Sequence, residues 1–283
     1  MLTLSAHLPG WAAAAVARLF GRPGEFRVDA RSALLIDFAT GEELYSQNPT
    51  AALPPASIAK LMTLRLTWGA LHGGHIKLTD RVPVSANASC RHPALDGASL
   101  MFLEAGDDVT VEQLMKGMAI PSASDAAVAM AEFLGGSVAA FVEAMNAEAR
   151  RLGMGHTRFV DPHGLSEENQ TTAGDLALLA RAYLADVPEA LTFLHCHRYF
   201  LYRGRNLAGT NLLPGRYRGA DGLKTGFLDS VGYNQISTAW RGDTRLIGVV
   251  LGTRSKRARR NQSALLLDYG FRHKEDPGLA CNA

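Results

Sequence analysis

The 283-residue chain is 47% hydrophobic and 20% charged with a formal net charge of +2, an ordinary globular composition that supports one large domain or two small ones. So small a net charge points to no polyanionic partner, and no run of 18 apolar residues exists to span a membrane. The three cysteines, Cys90, Cys196 and Cys281, form no C-x-x-C pair, so neither a zinc cage nor a disulfide framework is indicated.

In chain order, residues 1–28 come first. LPGWAAAAVA is patterned like the core of a short export signal, with small residues suited to cleavage around Ala15 and Ala17. No Lys or Arg precedes it, and Arg18 and Arg22 follow, so a plain amphipathic helix is an equal reading. RSALLIDFATGEELYSQN reads as a hairpin, with an apolar run from Ala33 to Ile36, a turn at Ala39-Thr40-Gly41 and alternation through Glu43, Leu44 and Tyr45. From Ser57 to about His195 helical signals dominate, starting with a helix over Ser57 to Leu71. Thr110-Val111-Glu112-Gln113 makes a capping box ahead of LMKGMAI. SASDAAVAMAEFL ends at Gly135-Gly136, Ser137 caps a helix that stops at Gly153, and Thr172 opens another through LALLARAYL. After residue 196 the period becomes β-like in DGLKTGF, YNQISTAW and RLIGVVLGT, the last two joined by a tight turn at Arg241 to Thr244. SALLLDYGF closes as a helix. Strands at both ends with helices between predict an α+β fold, one antiparallel sheet assembled from both termini with a helical subregion. The sequence shows no internal repeat and no long linker.

Three stretches carry possible chemistry. In LPPASIAKLMT, Ser57 and Lys60 are one helical turn apart and share a face. Burial would push the lysine toward the neutral amine, and the positive end of the helix dipole near Ser57 acts in the same direction. A neutral amine beside a hydroxyl is a nucleophile with its general base. A solvated lysine on an amphipathic helix fits the same four residues. In Ile120-Pro121-Ser122-Ala123-Ser124-Asp125, either serine is placed to cap the helix that follows. In Asp221 to Phe227, a Lys-Thr-Gly strand puts Lys224 and Gly226 on one face and Thr225 on the other. There Gly226 permits close approach of a ligand backbone, and a strand edge offers peptide-type pairing.

S-x-x-K, then a serine-bearing loop, then KTG is the serial order of penicillin-binding proteins and class A β-lactamases. Over Arg31 to Phe271 the sequence resembles the serine D-Ala-D-Ala carboxypeptidases, or low-molecular-mass penicillin-binding proteins of the peptidase S11 type. ARSALLIDFATGEELYSQN, LPPASIAKLMT, ASLMFLEAGDDVTVEQLMKGM, SASDAAVAMAE, LGMGHTRFVDPHGL, GRYRGADGLKTGF and LLLDYGF occur in the expected order.

The resemblance implies a β-lactamase/transpeptidase-like fold, with a catalytic domain over 29–273, an N-terminal segment over 1–28 and a short tail over 274–283. It implies removal of the terminal D-alanine from peptidoglycan stem peptides, with β-lactams as inhibitors and neither metal nor organic cofactor, in a periplasmic or extracytoplasmic setting. Ser57 would be the nucleophile and Lys60 its base, with Ser122 relaying or holding the proton. Lys224, Thr225 and Arg259 would hold the substrate carboxylate beside the open Gly226. The backbone N–H groups of Ser57 and of Phe227 or Leu228 would form the oxyanion hole. Because the sequence stops about a dozen residues past LLLDYGF, the second β domain and amphipathic tail of many members are expected to be absent, and the enzyme soluble.

Two positions depart from the family pattern. Ser124 stands where the family carries asparagine, offering one short hydroxyl instead of a donor and an acceptor at longer reach. Leu228 stands where a threonine is common. A cross-link endopeptidase would use the same residues, and a degenerate member would bind without turnover. Against a β-lactamase, no E-x-x-x-N segment lies between the middle motif and KTG. LHCHRY would put His195 and His197 on one strand face with Cys196 opposite, too few ligands for a metal. His163 reads as a turn or core residue. RSKRARR reads, apart from Arg259, as a solvated helix start and not a nucleic-acid patch.

Overall fold

The computed structural model describes residues 26–275. The chain opens with β1 (Ser32–Asp37) and β2 (Glu43–Gln47), then a 3-10 turn (Ala56–Ala59) leads into α1 (Lys60–His72). A short pair, β3 (Arg81–Pro83) and β4 (Asp108–Thr110), precedes α2 (Val111–Ala119), α3 (Ser124–Gly135), α4 (Val138–Arg151) and α5 (Ala173–Asp186). A π-turn (Leu191–His195) leads to the hairpin β5 (Tyr199–Tyr202) and β6 (Arg205–Ala208). The chain then forms β7 (Ala220–Leu228), β8 (Gly232–Arg241), β9 (Thr244–Thr253) and α6 (Lys256–Glu275).

Five strands pair in the order β2-β1-β9-β8-β7, antiparallel throughout. The two chain ends therefore meet at β1 and β9, as the strand–helix–strand pattern predicts. Both faces of the sheet are covered, so β1 is buried along its whole length. Its alternation still sorts the side chains. Leu34 and Ile36 join the core under α1 to α5, whereas Ala33 and Leu35 face Leu266, Leu267 and Phe271 of α6. β7 is an edge strand, so alternate N–H and C=O groups along it have no strand partner on one side.

Local chemistry sets most boundaries as read. Thr110 and Gln113 make a reciprocal capping box on α2, Ser137 accepts from the Ala140 N–H, and Thr172 accepts from the Asp175 N–H. Gly136 ends α3 in the left-handed region. Arg241 pairs with Thr244 across a two-residue turn.

Two readings are corrected. Neither Ser122 nor Ser124 caps α3. Its N-cap is Ala123, with no side-chain bond. His195, Cys196 and His197 are not on a strand: the π-turn buries Leu191, Leu194 and His195, and β5 begins only at Tyr199. The buried His195 ring is bonded on both sides, 3.0 Å from the Tyr183 hydroxyl and 3.2 Å from the Leu223 carbonyl. Burial first, then the Lys224 charge, lower its pKa to about 3, so it stands as a neutral strut behind β7. The possible export signal, cleavage around Ala15 and Ala17, Cys281 and most of the tail lie outside the described residues. Among those described, no single helix is long and apolar enough to cross a membrane.

Candidate active site

The serine of S-x-x-K is not yet in the α-helix. Ala56 has φ +53° and Ser57 sits in the 3-10 turn, with α1 starting at Lys60. A non-glycine residue at positive φ is held there by its surroundings. The tight turn leaves Ser57 half-exposed and sends Lys60 inward, where it is completely buried. Lys60 Nζ lies 2.9 Å from Ser57 Oγ and donates to the His163 carbonyl at 2.8 Å. Burial lowers the Lys60 pKa to about 7 against the opposing pull of Asp161 and Asp125. Near neutral pH a large share of the amine is therefore free to accept the Ser57 hydroxyl proton.

The turn Asp161-Pro162-His163-Gly164 lies against Lys60 through the His163 carbonyl. The Asp161 carboxylate accepts the N–H groups of His163, Gly164 and Ser166 and the Asn169 side-chain amide, with the His163 ring 3.0 Å away. These donors outweigh its burial and hold its pKa far below the usual carboxylate range. Thr63 of α1 donates to the Pro162 carbonyl at 2.7 Å, fixing the turn against the helix. His163 is a turn residue, as read, but its carbonyl also anchors Lys60. A carbonyl belongs to every residue, so no residue type announces that role.

From the other side come the middle motif and β7. Ser122 has φ +68°, and Lys224 Nζ donates to its hydroxyl at 2.7 Å and to the Thr225 carbonyl at 2.9 Å. Lys224 is buried, and burial first, then the Lys60 and Arg259 charges, push its pKa well below the ordinary lysine value. Ser122 thus pairs with Lys224, which itself feels the charge of Lys60. The Ser124 hydroxyl is buried with no hydrogen-bond partner. Asp125 bonds the N–H groups of Met101 and Leu103 and pins the loop in front of the motif.

Gly226 is needed for a different reason than expected. A Cβ there would lie 2.9 Å from both the Ala56 Cβ and the Pro55 carbonyl oxygen and 3.1 Å from the Ser57 nitrogen, so the close neighbour is the protein's own Pro55–Ser57 segment. Asn234 of β8 ties the same segment down, donating to the Pro54 and Pro55 carbonyls while accepting the Gly252 N–H. Thr225, on the opposite face from Lys224, hydrogen-bonds Thr210 hydroxyl to hydroxyl at 2.7 Å. Arg259 donates to the Thr210 carbonyl at 2.9 Å, and its Nε is buried without a partner. Burial lowers the Arg259 pKa to about 10, so the group stays cationic at neutral pH. Ser57, Lys60, Ser122, Lys224, Thr225, Gly226 and Arg259, far apart in sequence, are thereby linked through short contacts, with Ser124 at the start of the adjoining helix.

Residues 20–255 match the sequence profile of peptidase S11, D-alanyl-D-alanine carboxypeptidase. The chain belongs to the peptidase S11 family. D-alanyl-D-alanine carboxypeptidase DacC of Escherichia coli (strain K12) is 42% identical over 257 residues, covering 88% of this chain and 62% of DacC. The crystal structure of penicillin binding protein 6B from Escherichia coli superposes with a TM-score of 0.83 at 35% identity, covering 87% of this chain and 78% of that one. Penicillin-Binding Protein D2 from Listeria monocytogenes, solved in its ampicillin-bound form, gives a TM-score of 0.76 at 31% identity, covering 87% and 99%. The chain spans about three-fifths of the length of the first curated relatives it matches. The α+β fold of this S11 chain is that of the penicillin-binding proteins.

Proposed function

We propose that this chain is a serine DD-peptidase that removes the terminal D-alanine from peptidoglycan stem peptides and is acylated by β-lactams. The observation that carries the reading is the fully buried Lys60 amine 2.9 Å from Ser57 Oγ, with its pKa lowered to about 7. Ser57 Oγ attacks the carbonyl of the penultimate D-alanine while Lys60 takes its proton. The oxyanion forms at the Ser57 N–H and an N–H just after Gly226, Phe227 or Leu228, and those donors are worth the most where water is excluded. The proton taken by Lys60 is relayed through Ser122, held by Lys224, to the leaving amine, so Ser122 ends with its hydroxyl intact and D-alanine departs. Water then attacks the Ser57 ester, regenerating the hydroxyl. Thr225, Lys224 and the cationic Arg259 hold the terminal carboxylate, and the free edge of β7 takes the peptide backbone. Residues 29–273 form the catalytic unit, and a wall substrate places the enzyme outside the cytoplasmic membrane.

The test is intact-mass measurement after incubation with a penicillin, followed by peptide mapping and an assay for D-alanine release from a D-Ala-D-Ala peptide. One adduct on the peptide containing Ser57, together with D-alanine release, is expected. An adduct elsewhere, or none at millimolar drug, overturns the reading.

Ser124 tests the reading in finer detail. If the family's asparagine hydrogen-bonds the substrate amide, the shorter, unpartnered Ser124 hydroxyl leaves that contact weaker or water-mediated. A hydrogen bond is worth roughly 0.5–1.5 kcal/mol, about two- to twelvefold in rate. Ser124→Asn is therefore expected to raise kcat/KM for a D-Ala-D-Ala peptide by that factor, with folding checked by circular dichroism. A fall in kcat/KM for the folded variant means that Ser124 has its own adapted role.

A further inference from the structure

The π-turn Leu191–His195 touches both α1, which begins at Lys60, and β7, which carries Lys224. On the α1 side, Phe193 packs edge-on against Trp68 with ring centroids 5.9 Å apart. Just ahead of the turn, the Glu189 carboxylate lies 3.0 Å from the His72 ring at the end of the same helix. On the other side, β7 rests directly on the turn. A Cβ at Gly222 would come within 3.1 Å of the Leu191 side chain and 3.5 Å of the His195 Cβ. Single π-turns are rare and appear frequently at functional sites.

His195 turns this packing into a directed contact. The Leu223 oxygen, 3.2 Å from its Nδ1, is a carbonyl and only accepts, so Nδ1 carries the proton. Burial keeps the ring neutral, which leaves Nε2 to accept from the Tyr183 hydroxyl at 3.0 Å. Tyr183 of α5 and His195 are both buried, so water does not compete for either bond. The Leu223 carbonyl and the Lys224 N–H belong to one rigid peptide plane. Holding that oxygen therefore holds the plane from which the Lys224 side chain leaves the strand, toward Ser122 at 2.7 Å and the Thr225 carbonyl at 2.9 Å.

We propose that His195, with Tyr183 behind it, is a positioning pair that sets the aim of Lys224 and Thr225 on the substrate carboxylate. The pair meets no reacting atom and acts through the Leu223–Lys224 peptide. This inference rests on the DD-peptidase reading, in which Lys224 and Thr225 hold that carboxylate.

The test compares a penicillin with its methyl ester, which differ only at the carboxylate beside the scissile nitrogen. Adduct formation is followed by intact mass over time, and the ratio of the two acylation rates, acid over ester, is the readout. Unfolded or inactive molecules lower both rates by one factor, so a merely structural role leaves the ratio alone. Wild type is expected to favour the acid at least about tenfold, the scale of a charge-assisted contact. His195→Leu removes both bonds and is expected to cut the ratio on the order of fivefold, whereas Tyr183→Phe loses one neutral hydrogen bond and cuts it about twofold to threefold. His195→Asn, whose amide nitrogen stands where Nδ1 does, keeps the Leu223 bond and falls no further than Tyr183→Phe. An unchanged ratio in His195→Leu, or a His195→Asn ratio as low as that of His195→Leu, overturns the pair. If His195→Leu does not fold, Tyr183→Phe decides, and a ratio equal to wild type overturns the pair. A wild type that forms adducts without favouring the acid also overturns it. A wild type that forms no adduct with either compound at millimolar concentration instead overturns the DD-peptidase reading, and the pair with it.

Discussion

Lys60→Arg is expected to fold and to lose acylation by penicillin and by peptide alike. The Lys60 amine is fully buried, and its pKa of about 7 has burial as its largest cause. Arginine keeps its charge at every accessible pH, so it fills the space without ever supplying a free lone pair. Removal of a positioned general base is expected to lower the rate on the order of 10²–10⁴-fold. The wild-type acylation rate should rise with pH along a limb centred near 7, because the reactive form is the neutral amine. Stability moves in the same direction. The folded-state pKa lies below the ordinary lysine value of 10.5, so between about 7 and 10.5 the unfolded chain binds the extra proton and stability climbs with pH. Lys60→Met, which cannot titrate, should flatten that slope and also abolish acylation. Stopped-flow acylation across pH, with circular dichroism of each variant, checks all of this. Near-normal acylation by Lys60→Arg would defeat the assignment.

Much of this arrangement was legible because the relevant physics is local. Thr110, Ser137 and Thr172 announce helix starts through side chains that satisfy N–H groups two or three residues away. The β-like runs YNQISTAW and RLIGVVLGT and the Gly242-Asp243 turn between them announce a hairpin in the same way. Ser57 and Lys60 were readable because three residues is nearly one helical turn. Contacts that cross a hundred residues were not. The second partner of Lys60 is a carbonyl 103 positions away, and Asn234 reaches the Pro54 and Pro55 carbonyls from 180 and 179 positions away. The serines of the middle motif look like caps because capping is their commonest local use, but at φ +68° Ser122 serves Lys224 instead. LHCHRY alternates like a strand, yet burial of Leu191, Leu194 and His195 against β7 wins and winds it into a turn.

Gly164→Ala should damage both stability and acylation, because this glycine is where the Asp161 turn touches the backbone of Ala56 and Ser57. Its φ is +83°, and a Cβ there would stand 1.9 Å from the Ala56 carbonyl oxygen and 2.4 Å from its carbon. The neighbour is backbone with little freedom to yield. Ala56 is already at φ +53°, and the next residue is Ser57. On the other side, the His163 carbonyl must stay 2.8 Å from Lys60. Left-handed backbone costs an alanine about 1–2 kcal/mol, and overpacking adds about 1–3 kcal/mol. The expected loss is therefore roughly 2–5 kcal/mol, a fall in Tm of about 4–20 °C for a domain of this size. Acylation should fall on the order of 10²-fold in the protein that remains folded, since displacing Ser57 by about 1 Å spoils its aim. Gly153→Ala is the control. Gly153 has a similar φ of +77° but open space at the Cβ position, so it isolates the backbone strain and leaves the site intact. Thermal melts and penicillin acylation rates of the two variants separate the terms. If Gly164→Ala matches Gly153→Ala in both measurements, the turn has room to move and does not set the position of Ser57.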